Sequence, residues 1–165
     1  MNVEWPEGTE LAGTEQAKFD EKGRLLFGKK KRDILSSDFV FRLGSKPYLE
    51  VLPKSVWDQM KEDARKQFTS GVGAKDHMRW FFANADVGQS FDAQGRVVVP
   101  ARLRKAAGLN KDVYIIGCGL YAEIWDVETY EKYLDDPDSV DLKREKAMDR
   151  AEDKLGGRWQ PPASS

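Results

Sequence analysis

The sequence has few of the residues on which catalytic and metal sites depend. Its 165 residues include one cysteine, Cys118, and one histidine, His77. A single cysteine excludes a disulfide within the chain and agrees with a reducing compartment, and neither residue stands in a zinc-ligand or metalloprotease spacing. Catalysis would need titratable side chains that converge on one point. We therefore expect no enzyme activity, no catalytic residue, no metal, no cofactor and no small-molecule substrate.

Long apolar runs are also missing. No run approaches the roughly 18 apolar residues of a membrane-spanning helix. The first eight residues, MNVEWPEG, are acidic and lack the apolar region of a signal peptide. We therefore expect a cytoplasmic protein without a membrane partner.

The net charge is only −1, but the charge is sorted along the chain. Residues 16–35 carry seven Lys or Arg against three Asp or Glu, and residues 91–105 carry four against one. Residues 123–153 carry five basic side chains against twelve acidic ones. A charge run alone is usually solvated surface, but this sorting favours a basic face for nucleic acid and acidic helices elsewhere.

The chain contains two copies of one sequence unit. Residues 19–32 read FDEKGRLLFGKKKR and residues 91–104 read FDAQGRVVVPARLR, aligned by a shift of 72. A shift of 73 aligns later positions, such as Glu50 with Glu123. This duplication determines the domain organisation. The predicted segments are a first repeat at 12–55, linking helices at 56–85, a second repeat at 89–128, C-terminal helices at 129–157 and a disordered tail at 158–165.

Each copy contains Asp-x-x-Gly-Arg between apolar runs, which predicts a tight turn. The aspartate can accept a hydrogen bond from backbone two residues on, and the glycine can adopt the left-handed conformation that closes a type I turn into a hairpin. An arginine, Arg24 or Arg96, follows each turn. The ordinary interpretation is a surface hairpin with a solvated arginine, but two copies with the same cation favour a function. The predicted turn-forming residues are Asp20, Gly23, Asp92 and Gly95.

The remaining pattern predicts a β-rich α+β fold. Strand-like segments at 39–43 and 48–52 recur at 113–116 and 121–125, and helical spacing follows the first pair. One copy cannot cover its own strand edges, so we expect the two halves to pack around a pseudo-twofold axis. The link also carries an aromatic segment, Trp80-Phe81-Phe82, that we expect to bury against the sheet or a neighbouring subunit.

The doubled turns, the segments VVPARLR at 98–104 and AGL at 107–109, and above all YAEIWD at 121–126 resemble the MraZ family. These are bacterial transcriptional regulators of the operon for cell division and cell-wall synthesis. The resemblance covers roughly residues 12–135. It implies two tandem swapped-hairpin units of the AbrB/SpoVT kind, which form a pseudo-twofold barrel with peripheral helices and assemble into rings. The chain departs from the family pattern at Gly28, where the first unit usually has the proline seen here at Pro100.

We expect the partner to be double-stranded DNA, bound at short repeated promoter sites in the nucleoid by a homo-oligomer, for which the resemblance implies a ring. A two-stranded β-ribbon fits the major groove, and an arginine beside a rigid turn can contact guanine O6 and N7 together. Arg24 and Arg96 are the candidates for base reading, with Lys22 and Gln94 as helpers. The candidates for phosphate contact are Lys29, Lys30, Lys31, Arg102 and Arg104. The acidic C-terminal segment leaves open a second function, an antitoxin-like or protein-interaction module.

Overall fold

The computed structural model describes residues 8–67 and 70–136. The chain divides into two compact units, Met1–Val127 and Glu128–Ser165. The part of the predicted C-terminal helices beyond residue 136 and the tail predicted at 158–165 lie outside the described residues. In the part that is described, no helix is long and apolar enough to cross a membrane.

The two repeats have the same order of elements, strand, strand, helix, strand, strand. The first contains β1 (Thr14–Lys18), β2 (Arg24–Leu26), α1 (Lys29–Leu35), β3 (Ser37–Leu43) and β4 (Tyr48–Leu52). The link contains α2 (Lys54–Gln67) and α3 (Ala74–Ala83). The second contains β5 (Ala85–Ser90), β6 (Arg96–Val98), α4 (Ala101–Ala106), β7 (Asp112–Gly117) and β8 (Ala122–Asp126), and α5 (Val127–Asp135) follows. The expected α+β class is confirmed.

Strand pairing joins the two repeats. A six-stranded sheet has the order β1-β7-β8-β4-β3-β5, a two-stranded sheet consists of β2 and β6, and the pairs are antiparallel. Only the β3–β4 and β7–β8 pairs lie within one repeat. The pairs β1–β7, β3–β5, β4–β8 and β2–β6 each take one strand from either repeat.

This pairing corrects the simple hairpin expected around each turn. β1 leads into the first turn and β2 leaves it, but β1 pairs with β7 and β2 pairs with β6. The equivalent strands β5 and β6 pair with β3 and β2. The strands on the two sides of a turn therefore separate, because each finds its partner in the other repeat.

The register is symmetric about two residue pairs. Leu25 lies opposite Val97 in the two-stranded sheet, and Glu50 lies opposite Glu123 in the larger one. In both pairs the two residues occupy equivalent positions of the duplicated sequence. Equivalent residues that face each other in antiparallel strands are related by a local twofold axis, so the pairing of the repeats is pseudosymmetric.

The main apolar core takes side chains from both repeats. Phe39 is fully buried, and its ring centroid lies 5.8 Å from that of Phe41 and 4.8 Å from that of Phe91. A second cluster contains Val40, Leu52, Val56, Trp57, Ala64 and Phe81. Trp57 and Phe81 stack there, with centroids 5.2 Å apart. The two helices of the link thus cover the sheet with their own apolar side chains.

We expect Phe39→Ala to lower the free energy of unfolding by about 3–5 kcal/mol, because it leaves a cavity among fully buried rings. Since the core is shared by both repeats, urea denaturation at one protein concentration should remain a single transition by tryptophan fluorescence and circular dichroism. The matched control is Val72→Ala, a fully exposed residue of the link, which should change the value by less than about 0.5 kcal/mol. Two separate transitions, of which only one moves, would contradict the shared core.

Candidate nucleic-acid interface

The first Asp-x-x-Gly-Arg segment forms a turn closed by its aspartate. Asp20 Oδ1 accepts hydrogen bonds from the backbone N–H of Lys22 and of Arg24, both at 2.9 Å. The Gly23 N–H donates to the Asp20 carbonyl at 3.0 Å. Gly23 has φ of 74°, a conformation that costs a residue with a Cβ roughly 1–2 kcal/mol. The turn thus depends on both residues.

The second segment repeats this geometry closely. Asp92 Oδ1 accepts from the backbone N–H of Gln94 and of Arg96, both at 2.9 Å. Gly95 has φ of 81°, and its N–H donates to the Asp92 carbonyl at 3.0 Å. The duplicated sequence therefore produces two copies of one local structure.

Each turn also fixes the arginine that follows it. Arg24 Nε donates to Asp20 Oδ2 at 2.6 Å, and Arg96 Nε donates to Asp92 Oδ2 at 3.0 Å. Such charge-assisted bonds are about twice as strong as neutral ones. Because Nε is the inner nitrogen, the terminal Nη groups stay available for other acceptors, and Arg96 Nη2 donates to Gln94 Oε1 at 3.3 Å.

The same bonds set the charge of the two carboxylates. The backbone N–H of Arg24, followed by its guanidinium, lowers the pKa of Asp20. The backbone N–H groups of Arg96 and Gln94, followed by the Arg96 guanidinium, lower the pKa of Asp92. A lowered pKa means that the stabilisation is complete above the ordinary aspartate pKa of about 3.9. It is lost as the pH falls through the lowered value. Both arginine–aspartate pairs are therefore intact at neutral pH.

The other repeat holds each turn in place. The Val99 N–H donates to the Gly23 carbonyl at 3.0 Å, and the Phe27 N–H donates to the Gly95 carbonyl at 3.2 Å. An arginine also covers each glycine from the opposite repeat. A Cβ at Gly23 would lie 3.0 Å from Arg104 Nη2, and one at Gly95 would lie 2.7 Å from the guanidinium of Arg32. Each turn is therefore supported by residues far away in the chain, which belong to the opposite repeat.

Between the two turns, β2 and β6 form a short ribbon with one solvent-facing side. Arg24 lies opposite Val98, and Leu26 lies opposite Arg96. Leu25 and Val97 lie between them in the strands and are buried. Since side chains alternate along a strand, the exposed side carries two arginines at one pair of diagonal corners and two aliphatic residues at the other.

The structure places the other predicted contact residues in different surroundings. Lys22 and Gln94 are exposed at the tips of the two turns, and Lys30 is exposed on α1. Lys29 Nζ lies 2.7 Å from Asp33 Oδ2 with most of its side chain exposed. The exposed Arg102 donates from Nη2 to the Ala83 carbonyl at 3.0 Å.

Two predicted phosphate contacts point into the protein. Lys31 is buried, and its Nζ donates to the Ala12 carbonyl at 3.0 Å and lies 3.8 Å from Glu15 Oε2. Arg104 is half-buried over Gly23, with its guanidinium carbon 5.1 Å from the centroid of the Phe19 ring. Both side chains pack against the protein itself. Such positions favour a structural role over contact with phosphate.

Gly28 keeps the backbone conformation of the proline at the equivalent position. Its φ and ψ are −62° and 150°, against −56° and 134° at Pro100. The Gly28 N–H donates to Glu15 Oε1 at 3.0 Å, and a Cβ there would lie 2.5 Å from Glu15 Oε2. Proline has no N–H, so it would remove this bond. The same glutamate is the neighbour of the buried Lys31.

The single cysteine and histidine do not form a reactive site. Cys118 Sγ lies 3.6 Å from the Ile116 carbonyl oxygen, and burial raises the pKa of its thiol to about 12, so the thiol is protonated at neutral pH. His77 Nδ1 lies 2.9 Å from the Gly73 carbonyl oxygen on the exposed side of α3. Among residues 8–67 and 70–136, no group of three His, Cys, Asp or Glu is placed to hold a metal ion.

The packing of Arg32 on the second turn can be tested with two glycines that share a conformation. Gly108 has φ of 68° and open space around its Cβ position. Gly108→Ala should therefore cost only the left-handed backbone, about 1 kcal/mol of unfolding free energy. Gly95→Ala should cost about 2–3 kcal/mol, because Arg32, whose Nε donates to the Phe27 carbonyl at 2.9 Å, must also move from the turn. Equal losses in urea denaturation would show that the arginine does not hold the turn.

Comparison with known proteins places the chain in one family. The family model for MraZ protein, described as antitoxin-like, matches residues 11–74 and 81–151. The protein named transcriptional regulator MraZ of Kineococcus radiotolerans is 38% identical over 124 residues, which are 75% of this chain and 86% of that protein. The protein of the same name from Heliobacterium modesticaldum is 39% identical over 121 residues, 73% of this chain and 84% of that protein. The chain therefore belongs to the MraZ family.

Proposed function

We propose that this chain is a sequence-specific, double-stranded DNA-binding transcriptional regulator of an operon for cell division and cell-wall synthesis. It acts in the nucleoid on short repeated promoter sites. The relatives named transcriptional regulator MraZ support the regulatory role. The observation that carries the DNA contact is the pair of arginines, each held by an aspartate, on the exposed side of the β2–β6 ribbon.

The ribbon has the shape and the chemistry for base reading. A two-stranded ribbon can enter the major groove, which is about 12 Å wide. Arg24 and Arg96 are held at Nε, so their Nη groups can reach the O6 and N7 acceptors of a guanine without first losing the freedom of a long side chain. Base contact by these residues is direct readout, with Lys22 and Gln94 beside them at the turn tips.

Exposed cations around the ribbon supply the phosphate contacts in this proposal. Lys29, Lys30 and Arg102 lie at or near the starts of α1 and α4, the helices that follow β2 and β6. Contacts to phosphate fix orientation on the duplex but carry no sequence information. In this proposal the arginines at the two turns contact bases, and the basic residues at the starts of α1 and α4 contact phosphates.

The exchange of strands between repeats supports the swapped-hairpin interpretation. Four strand pairs cross between repeats, and both turns take backbone hydrogen bonds from the opposite repeat. We propose that each chain is one pseudo-twofold AbrB/SpoVT-like barrel, with repeats at 12–55 and 89–128 and the helices as peripheral elements. One such unit presents a single ribbon and covers few base pairs.

Assembly of several chains into a ring would place several ribbons side by side and raise affinity for repeated sites through simultaneous engagement. Trp80 and Phe82 on α3 are 49% and 41% exposed, whereas Phe81 is buried against Trp57. Phe82 lines a groove together with Val87, which is also exposed. We propose that this apolar surface, Trp80, Phe82 and Val87, is the contact between chains.

The family description as antitoxin-like favours a second candidate function, in which the barrel holds a segment that binds another protein. The acidic residues of the C-terminal part would be that segment. A chain shortened by residues 136–165 that still binds its promoter as the full chain does would make this segment accessory to DNA binding.

We expect Arg24→Ala and Arg96→Ala each to weaken specific DNA binding by about 1–3 kcal/mol, the value of one bidentate base contact. Fluorescence anisotropy with the DNA upstream of the protein's own gene measures this loss. Arg65→Ala on α2 is the matched control, because it removes an arginine whose side chain is 71% exposed outside the ribbon. An Arg96→Ala variant that binds like the unchanged chain would exclude base reading by that residue.

We expect Phe82→Glu to lower both the mass of the assembly and its promoter affinity, because a charge would replace an exposed ring in the proposed contact. Light scattering at micromolar concentration should give the unchanged protein a mass several times the 18.8 kDa of one chain. Val72→Glu adds the same charge at a fully exposed position outside the surface and should leave the mass unchanged. A monomer that binds repeated sites tightly would contradict the assembly.

A further inference from the structure

We propose that Leu26 and Val98 read thymine, by packing against the 5-methyl groups in the major groove beside the guanines that the arginines contact. The inference rests on the proposed function and deepens it, since it adds a second base to the specificity of the ribbon. It assigns a role to two exposed side chains that contribute little to the core.

The observation behind it is an apolar pair on the outer side of the ribbon. Leu26 is 56% exposed and Val98 is 52% exposed, whereas their neighbours Leu25 and Val97 are buried. The side chains of Leu26 and Val98 therefore add little to the core.

Their position relative to the arginines limits what they can meet. Each aliphatic residue lies directly opposite an arginine, Val98 opposite Arg24 and Leu26 opposite Arg96. Side chains that face each other in antiparallel strands have Cβ atoms about 5 Å apart. Successive base pairs are about 3.4 Å apart along the duplex. An aliphatic side chain is thus one or two base steps from the guanine contacted by the arginine opposite.

The chemistry of the groove supplies the apolar partner. Base edges in the major groove display hydrogen-bonding groups, and the 5-methyl of thymine is their apolar feature. The arginines, each held by its aspartate at Nε, present terminal N–H donors on this surface, which complement the acceptors of guanine. A surface with two cations at diagonal corners and two aliphatic side chains at the others matches guanine acceptors next to thymine methyls.

The experiment removes the methyl group from the DNA and the aliphatic group from the protein. Duplexes are selected from a random pool with the full-length, unchanged chain, and each thymine of the best duplex is replaced in turn by deoxyuridine, which lacks only the 5-methyl. Affinities are then measured by fluorescence anisotropy for the unchanged chain, Leu26→Ala, Val98→Ala and the control Val72→Ala. Circular dichroism verifies that the variants fold.

Deoxyuridine at one or two positions should weaken binding by the unchanged chain about fourfold, the effect of one buried methyl group. Val98→Ala and Leu26→Ala should each bind the original duplex more weakly by a similar factor. Each should also become insensitive to deoxyuridine at one of those positions, as expected for two groups in contact. Val72→Ala should keep the full sensitivity of the unchanged chain.

Variants that keep the sensitivity to deoxyuridine at every thymine, or a duplex in which no replacement matters, would overturn the inference. In that case the loss of DNA affinity in the Arg96→Ala variant would still show whether the ribbon binds DNA. If the unchanged chain enriches no sequence from the pool, the proposed function fails together with the inference.

Discussion

Each turn of this protein is completed by the repeat to which it does not belong. The carbonyls of Gly23 and Gly95 accept hydrogen bonds from Val99 and Phe27, and an arginine of the opposite repeat covers each glycine. The strands beside each turn also pair across the repeats. A single repeat would leave these backbone groups and strand edges without partners, so the two halves depend on one another for their structure.

This dependence has a consequence for recognition. A ribbon of three residue pairs has little stability of its own. Here the side chains of its middle pair, Leu25 and Val97, are buried, and a rigid turn precedes each of its two strands. The aspartates that close the turns also restrain the arginines, so one set of hydrogen bonds both shapes the backbone and orders the side chains that we propose meet DNA. A preorganised side chain loses less entropy on binding.

The parts of the structure that sequence could predict are local or duplicated. An aspartate and a glycine three residues apart are enough to predict each turn, so the signal lies within five consecutive residues. The alignment of the two copies indicated pseudosymmetry, and segments rich in aromatic and branched residues indicated the strands. The α+β class follows from these features, and the family follows from the resemblance of segments such as YAEIWD at 121–126.

The parts that sequence could not predict depend on distant partners. The first turn and its flanking segments looked like a hairpin, but β2 pairs with β6 and β1 with β7. The residues around the turn carry no signal that predicts this pairing. Lys31 looked like its exposed neighbours Lys29 and Lys30 but is buried beside Glu15. Arg104, predicted to contact phosphate, is half-buried over Gly23. The alignment of Arg32 with Arg104 was visible, but only the fold shows that each covers the turn of the other repeat.

The most direct test of base reading by the ribbon is dimethyl sulfate interference on a bound promoter fragment. Methylation at guanine N7 blocks the major-groove acceptor that an arginine would use, whereas methylation at adenine N3 blocks the minor groove. Major-groove reading by Arg24 and Arg96 predicts interference at guanine N7 in each repeated site and none at adenine N3 between them. Interference confined to adenine N3, or absent from every guanine, would contradict it.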